Sequence, residues 1–127
     1  KAGQTQEADI IVTAIGVNLR LFGGMTLSVD GKVIEMNQHI SYKGVMFSDI
    51  PNFSNALGYT NASWTLKADL IAEYVCRLIK HMDQTGTRIA VPERKDPNIK
   101  TGPLLDMTSN YVTRAEAYMP KGADRAP

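Results

Sequence analysis

Apolar and polar positions along the chain fall into three patterns, and each predicts a different element. The first is a continuous apolar run, Ile10-Ile11-Val12-Thr13, inside ADIIVTAIG. A short β-branched run that is apolar on both faces predicts a buried strand of the parallel type, closed here by Gly16. The second pattern is alternation. In GGMTLSVDGKVIEMNQ, Asp30-Gly31 stands between Leu27-Ser28-Val29 and Lys32-Val33-Ile34, which predicts a tight antiparallel hairpin with one exposed face. HISYKGVMFSDIP adds a further strand pair or one bent strand, with Gly44 as its bulge. The third pattern is helical. From Ser63 or Trp64 to about Gln84, steps of about 100° put Trp64, Lys67, Leu70, Ile71, Tyr74, Val75, Leu78 and Met82 on one stripe. Asp69, Glu73, Arg77 and Lys80 fall opposite, and Gly86 ends the helix.

Beyond Gly86 the signals weaken. TRIAVPER predicts a short strand and KDPNIKTGP a loop. LLDMTSNYVTRAEAY carries weak strand or helix character, and the Pro- and Gly-containing tail is expected to be poorly ordered. The fold class is therefore α/β with an α+β-like arrangement. One long amphipathic helix packs on a small, mainly antiparallel sheet, and the Ile10–Thr13 strand is buried.

Composition narrows the class without naming an activity. The 127 residues are 43% hydrophobic and 21% charged, as in an ordinary globular domain. A net charge of +1 gives no electrostatic reason for a nucleic-acid partner. Cys76 is the single cysteine, so no internal disulfide framework exists, and a reducing, cytoplasmic setting is the expectation. No apolar run approaches the roughly 18 residues of a membrane span. The chain opens on Lys1 and closes on KGADRAP. Both ends are expected to be cuts from a longer polypeptide, with natural processing as the alternative at the first.

Candidate chemistry gathers between the strand that ends at Asp49 and the long helix. The intervening loop Gly58-Tyr59-Thr60-Asn61-Ala62-Ser63 is polar and lies between two apolar elements, as the mouth of a ligand site would. A helix start offers unpaired N–H groups and about half a unit of positive charge, which favour an anion or a carbonyl-type oxygen. Ser63 and Thr65 as simple caps of the helix are the expectation from physics alone. Gly58 and Ala62 allow a ligand close to the backbone, or make an ordinary turn. Asp49 at a strand end can accept a hydrogen bond from a ribose or ribitol hydroxyl, or form a turn beside Pro51. Lys67 either snorkels to water or meets a phosphate or carboxylate. Trp64 is a core residue, a loop anchor or the wall of a substrate pocket. His39 and His81 lack ligand spacing, so no metal is expected. Cys76 has no base placed by spacing and is not expected to be a nucleophile. P-loop, GxSxG, HExxH and Gly-x-Gly-x-x-Gly patterns are absent.

Three stretches carry a family likeness: ADIIVTAIGVNLRLFGGM, YKGVMFSDIPNFSNALGYTNASWTLKADLIAEYVCRLIKHMD and MTSNYVTRAEAYMPKGADRAP. Together they resemble the C-terminal part of class B flavin-dependent monooxygenases, in the Baeyer–Villiger branch that includes the mycobacterial ethionamide-activating enzymes. The most specific element is GYTNASWTLKADL, and the likeness is weakest from Gly86 to Leu105. It implies part of a two-domain FAD- and NAD(P)-binding fold. Residues 1–16 would be the strand that crosses from the NADPH domain to the FAD domain. Residues 17–86 would complete the FAD domain, and residues 87–127 would be a C-terminal extension. Asp9 to Gly16 match the crossing segment except at Ile15, where Thr is usual, so no side-chain role carries to that position.

By the same residue match, Asp49 and Asn52 would approach the flavin, together with Gly58, Tyr59, Thr60, Asn61, Ala62, Ser63, Trp64, Thr65 and Leu66. The helix start would face the pyrimidine end of the ring and stabilise negative charge on reduced flavin. The implied reaction uses NADPH to reduce FAD, and a flavin C4a-peroxide then oxygenates a ketone or a sulfur or nitrogen atom of a small molecule. The family's two Gly-rich fingerprints and active-site arginine have no counterpart in this chain. Without the glycines there is no cradle for either pyrophosphate. The chain alone is therefore expected to bind neither cofactor tightly, to hold no catalytic residue and to be inactive. Two alternatives remain: a stand-alone non-catalytic module that self-associates as a homodimer through its exposed apolar surface, and a module that complements another chain.

Overall fold

The computed structural model describes residue 3, residues 5–59 and residues 62–124. Its order is β1 (Ser28–Val29), β2 (Lys32–Val33), β3 (Ser41–Tyr42), β4 (Met46–Phe47), α1 (Trp64–Thr85), β5 (Thr101–Pro103), α2 (Asn110–Ala115) and β6 (Lys121–Ala123). The architecture is mixed α/β, with one long helix. In place of a single small sheet, the strands form three two-stranded antiparallel ladders, β1-β2, β3-β4 and β5-β6.

The β1-β2 turn is the expected hairpin. Asp30 (φ 51°) and Gly31 (φ 77°) both take positive φ, the requirement of a tight turn whose twist matches its strands. In the β3-β4 hairpin, Lys43 (φ 55°) and Gly44 (φ 68°) do the same. Gly44 is thus a turn residue and not a bulge. Val45 N–H closes the turn on Tyr42 O at 2.9 Å.

Strand β4 serves two cores because successive side chains point to opposite faces. Phe47 packs with Met36 and Ile50, joined by Leu21, Phe22, Leu27, Ile34 and Phe53. The rings of Phe22 and Phe53 meet edge-on at 5.2 Å, and Phe47 stacks on Phe53 at 6.0 Å. Met46 and its neighbour Val45 pack with Ile71 of α1, flanked by Tyr42, Tyr74, Val75, Leu78 and Ala90. Each such fully buried apolar side chain contributes about 1.5–3 kcal/mol.

Helix α1 runs for 22 residues. Gly86 ends it in the left-handed conformation (φ 68°), its N–H bonded to Met82 O. The predicted stripe is only partly used. Ile71 is buried, and Lys67, Tyr74, Val75, Leu78 and Met82 are half-buried, whereas Trp64 and Leu70 are exposed. The helix rests on β3-β4 through the apolar side chains of its middle turns, and Trp64, Leu66 and Leu70 of its first two turns stay exposed.

Two expectations fail for physical reasons. The run Ile10–Thr13 forms no strand, and Ile10, Ile11 and Val12 are 82%, 79% and 86% exposed. A strand apolar on both faces needs neighbours on both edges and cover above and below. Among the described residues every strand is paired elsewhere, so this chain supplies none of that. The tail is likewise ordered as far as Asp124. Strand β6 pairs Gly122 with Gly102 of β5, and Lys121 N–H reaches His39 O at 2.9 Å. The ladder holds backbone that composition alone marks as loose.

TRIAVPER forms no strand ladder, yet it is stitched to the end of β4. Asp49 N–H bonds Pro92 O at 2.8 Å, and Asn52 N–H bonds Ala90 O at 2.9 Å. The Asn52 side chain completes the join: Nδ2 donates to Arg88 O at 3.0 Å, and Oδ1 accepts from Ala90 N–H at 2.9 Å. Asn52 also holds φ 54°, a conformation that Asn tolerates better than most residues. The weak signal in LLDMTSNYVTRAEAY resolves as the short helix α2. It ties down the lead segment, with Arg114 Nη2 donating to Val17 O and Tyr118 OH donating to Leu19 O.

Asn52→Ala is expected to lower stability by about 2 kcal/mol in urea unfolding, from two lost hydrogen bonds and a strained φ. Asn52→Gly, which tolerates the φ, recovers part of that loss. A transition midpoint unchanged by Asn52→Ala would contradict the stitching role.

Candidate functional site

The junction of the polar loop with α1 is built on one backbone contact. Gly58 is buried against the first residue of the helix. A Cβ at Gly58 would lie 2.5 Å from Trp64 Cα and 2.9 Å from Trp64 O. The close approach that glycine permits here is therefore taken by the helix itself. Ser63 occupies the N-cap position with extended backbone (φ −60°, ψ 125°), but its side chain caps nothing. Its Oγ instead pairs with Thr65 Oγ1 at 2.8 Å. No acidic residue lies in the first turn. Among the described residues, the partial positive charge of the helix start thus meets no cap from Ser63 and no first-turn carboxylate.

Lys67 brings a full charge to the same end. It is half-buried, and its Nζ lies 5.5 Å from the Tyr59 ring centroid. Trp64, Leu66 and Leu70 are 57%, 65% and 56% exposed and surround this positive end with apolar surface. Such a set suits a flat, partly apolar ligand with an electron-rich edge, the character of an isoalloxazine ring. Nothing in the set forms a phosphate cradle.

Of the residues singled out from sequence, Gly58, Tyr59, Ala62, Ser63, Trp64, Thr65 and Leu66 gather at this junction. Thr60 and Asn61 lie outside the described residues. Asp49 and Asn52 are engaged elsewhere, both with positive φ and both bonded to residues 88–92. The Asn52 amide is used at both ends in that join, and the Asp49 side chain is exposed. His39 is part of the framework, its Nδ1 2.6 Å from Ser48 O. Cys76 is exposed and unpaired. Among the described residues, no group of three or more His, Cys, Asp or Glu is placed to hold a metal ion, and no helix is long and apolar enough to cross a membrane.

A cleft of about 840 Å³, which the sequence reading missed, opens between β3, residues 91–96 and β6. Lys43, Arg94 and Lys95 bring cations to it, and Arg94 Nη2 donates to Pro97 O at 3.0 Å. The charged run Glu93–Asp96 was the one signal for it. At its hairpin side, Lys43 Nζ lies 5.3 Å from the Tyr42 ring centroid and 5.7 Å from that of Tyr74. Burial holds the Tyr74 phenol above its ordinary value, the adjacent Tyr42 adds to this, and the Lys43 charge opposes it.

Over 126 residues, 99% of its length, the chain is 46% identical to "FAD-containing monooxygenase EthA" of Mycobacterium tuberculosis (strain CDC 1551 / Oshkosh). The chain is a homologue of one segment of the FAD-containing monooxygenases. It is also 43% identical over 129 residues to "Probable FAD-binding monooxygenase AlmA" of Acinetobacter sp. Identity to "Putative FAD-containing monooxygenase MymA" of Mycobacterium tuberculosis is 42% over 128 residues. In each case the match spans 26% of the relative, so the chain covers about a quarter of the length of these monooxygenases. No protein-family model and no solved structure matches it.

A phenol with a raised folded-state pKa keeps its proton longer in the folded chain than in the unfolded one. Stability is then unaffected by this group below about pH 10 and falls as pH rises beyond it. Urea unfolding between pH 8 and 11 is expected to show that alkaline loss, and Tyr74→Phe should reduce it. An alkaline slope identical in Tyr74→Phe would contradict the raised pKa.

Proposed function

We propose that this chain is a portion of an FAD- and NADPH-dependent monooxygenase that oxygenates a ketone or a sulfur or nitrogen atom of a small molecule. The observation that carries this reading is 39–46% identity along nearly the whole chain to proteins about four times as long. The uncapped start of α1 supports the proposed place of the flavin. Bound flavin would supply the hydride acceptor and the means of activating oxygen.

The chain's own residues then have defined parts. The first-turn N–H groups of α1 stabilise negative charge at the pyrimidine edge of the ring, being fixed donors that need no reorganisation. Trp64 and Leu66 exclude water from that edge. Gly58 and Tyr59 set the course of the loop beside it. On this reading the segment of Asp49 and Asn52 would lie near the ribityl chain, with the Asp49 carboxylate as the remaining acceptor, since the Asn52 amide is engaged. Binding of both pyrophosphates falls to parts of the parent that this chain does not contain, so the chain alone is inactive. The reading includes a cytoplasmic setting, in keeping with the unpaired Cys76.

A second reading rests on the exposed Ile10, Ile11, Val12 and Ile15. A second copy of the chain could cover this apolar surface, giving a non-catalytic homodimer. One experiment separates the two. The chain is mixed with the part of an EthA-type relative that it does not match, loaded with FAD, and passed over a sizing column. The monooxygenase reading predicts that the two polypeptides co-elute with yellow flavin and that the chain alone takes up none. A chain that elutes as a stable dimer and ignores the loaded polypeptide would overturn it.

A further inference from the structure

We propose that Lys67 is a positioning residue whose ammonium, held between Gly44 and the Tyr59 ring, fixes the loop in front of α1. Two contacts carry the argument. Lys67 Nζ lies 5.5 Å from the Tyr59 ring centroid, within the range of a cation–π contact. A Cβ on Gly44 would come within 2.6 Å of Nζ and 3.4 Å of Cε. The head of Lys67 therefore occupies space that exists because residue 44 has no side chain. Gly44 is also in the left-handed region (φ 68°), so the hairpin turn selects the same residue that makes room for the lysine.

The placement of Lys67 is otherwise unexplained. It interrupts the packed stripe of α1 one turn before Ile71, it is half-buried, and the ion pair on the exposed face of the helix, Arg77–Glu73, does not involve it. No backbone hydrogen bond involves Gly58, Tyr59 or Ala62 among the described residues. Among the described residues, two packing contacts set the course of the loop: the Gly58 backbone on Trp64 and the Tyr59 ring on the Lys67 ammonium. Lys67 thus links three elements: the β3-β4 turn, the loop and the second turn of α1. That this loop faces flavin rests on the proposed function, whereas the link itself does not.

Trp64 is the single tryptophan, so its emission reports the junction alone. The test is acrylamide quenching of Trp64 in the full chain without flavin, acrylamide being neutral and so indifferent to charge at residue 67. Lys67→Met keeps the stem and removes the charge, and Tyr59→Leu removes the ring. Each is expected to raise the quenching constant measurably but by less than about twofold, since Trp64 is already 57% exposed and the lost contact only loosens the loop beside it. The double variant should show no more than either alone. Lys67→Arg and Tyr59→Phe, which keep cation and ring, should quench like the parent chain. Far-UV circular dichroism confirms that the helix is intact in each. Unchanged quenching in Lys67→Met and Tyr59→Leu would overturn the proposal, as would effects that simply add. Because no flavin is present, either result leaves the monooxygenase reading to its own test.

Discussion

The junction that matters in this chain depends on a backbone-to-backbone approach. Gly58 lies so close to Trp64 that no β-carbon fits between them. This contact decides where α1 begins and at what distance the loop runs past it. Everything at the helix start follows from that distance. Ser63 reaches the N-cap position with extended backbone but directs its hydroxyl to Thr65, so among the described residues its side chain caps no first-turn donor. Lys67, one turn further on, meets Tyr59 and the space beside Gly44.

Behind the junction stands a small framework with an unusual economy. Strand β4 is two residues long, yet Phe47 anchors one core and Met46 the other. The apolar hold on the middle of the helix comes from the second core, through Ile71 and its neighbours. Residues 88–92 then close over the end of β4 by backbone bonds and the Asn52 amide. The result supports the middle of α1 firmly and leaves its first two turns and the Ile10–Ile15 stretch with apolar side chains in water. Apolar surface of that extent is costly to leave uncovered. On the proposed function, the remainder of such a monooxygenase would cover those surfaces.

Local signals were the ones that the sequence made legible. Asp30-Gly31 specified a turn that needs two positive φ values, and Gly86 specified the left-handed end of α1, because each depends only on its own neighbours. The periodic stripe found the helix to within a residue of its observed span. What failed depended on partners. Ile10–Thr13 reads as a buried strand by composition, but burial requires strands and helices that this chain does not provide. The β6 strand was hidden because Lys121, Gly122 and Ala123 have no strand propensity of their own and are held by pairing with β5. Asn52 read as a ligand because its position matches a motif, and the side-chain bonds it makes to residues 36 and 38 positions away in sequence cannot be seen in a pattern. The candidate site was half legible: the loop–helix junction stood out as polar residues between apolar elements, whereas the roles of Gly44 and of the Glu93–Asp96 run needed three dimensions.

The most direct test of this account is the Gly58→Ala variant, read by urea unfolding and by Trp64 emission, with Gly102→Ala as control because open space surrounds Gly102. The account predicts a loss of about 2 kcal/mol or more and a shifted emission maximum for Gly58→Ala, since two stretches of backbone must separate. Gly102→Ala should change neither by a comparable amount. A Gly58→Ala chain with parental stability and unchanged Trp64 emission would contradict the claim that this contact sets the junction.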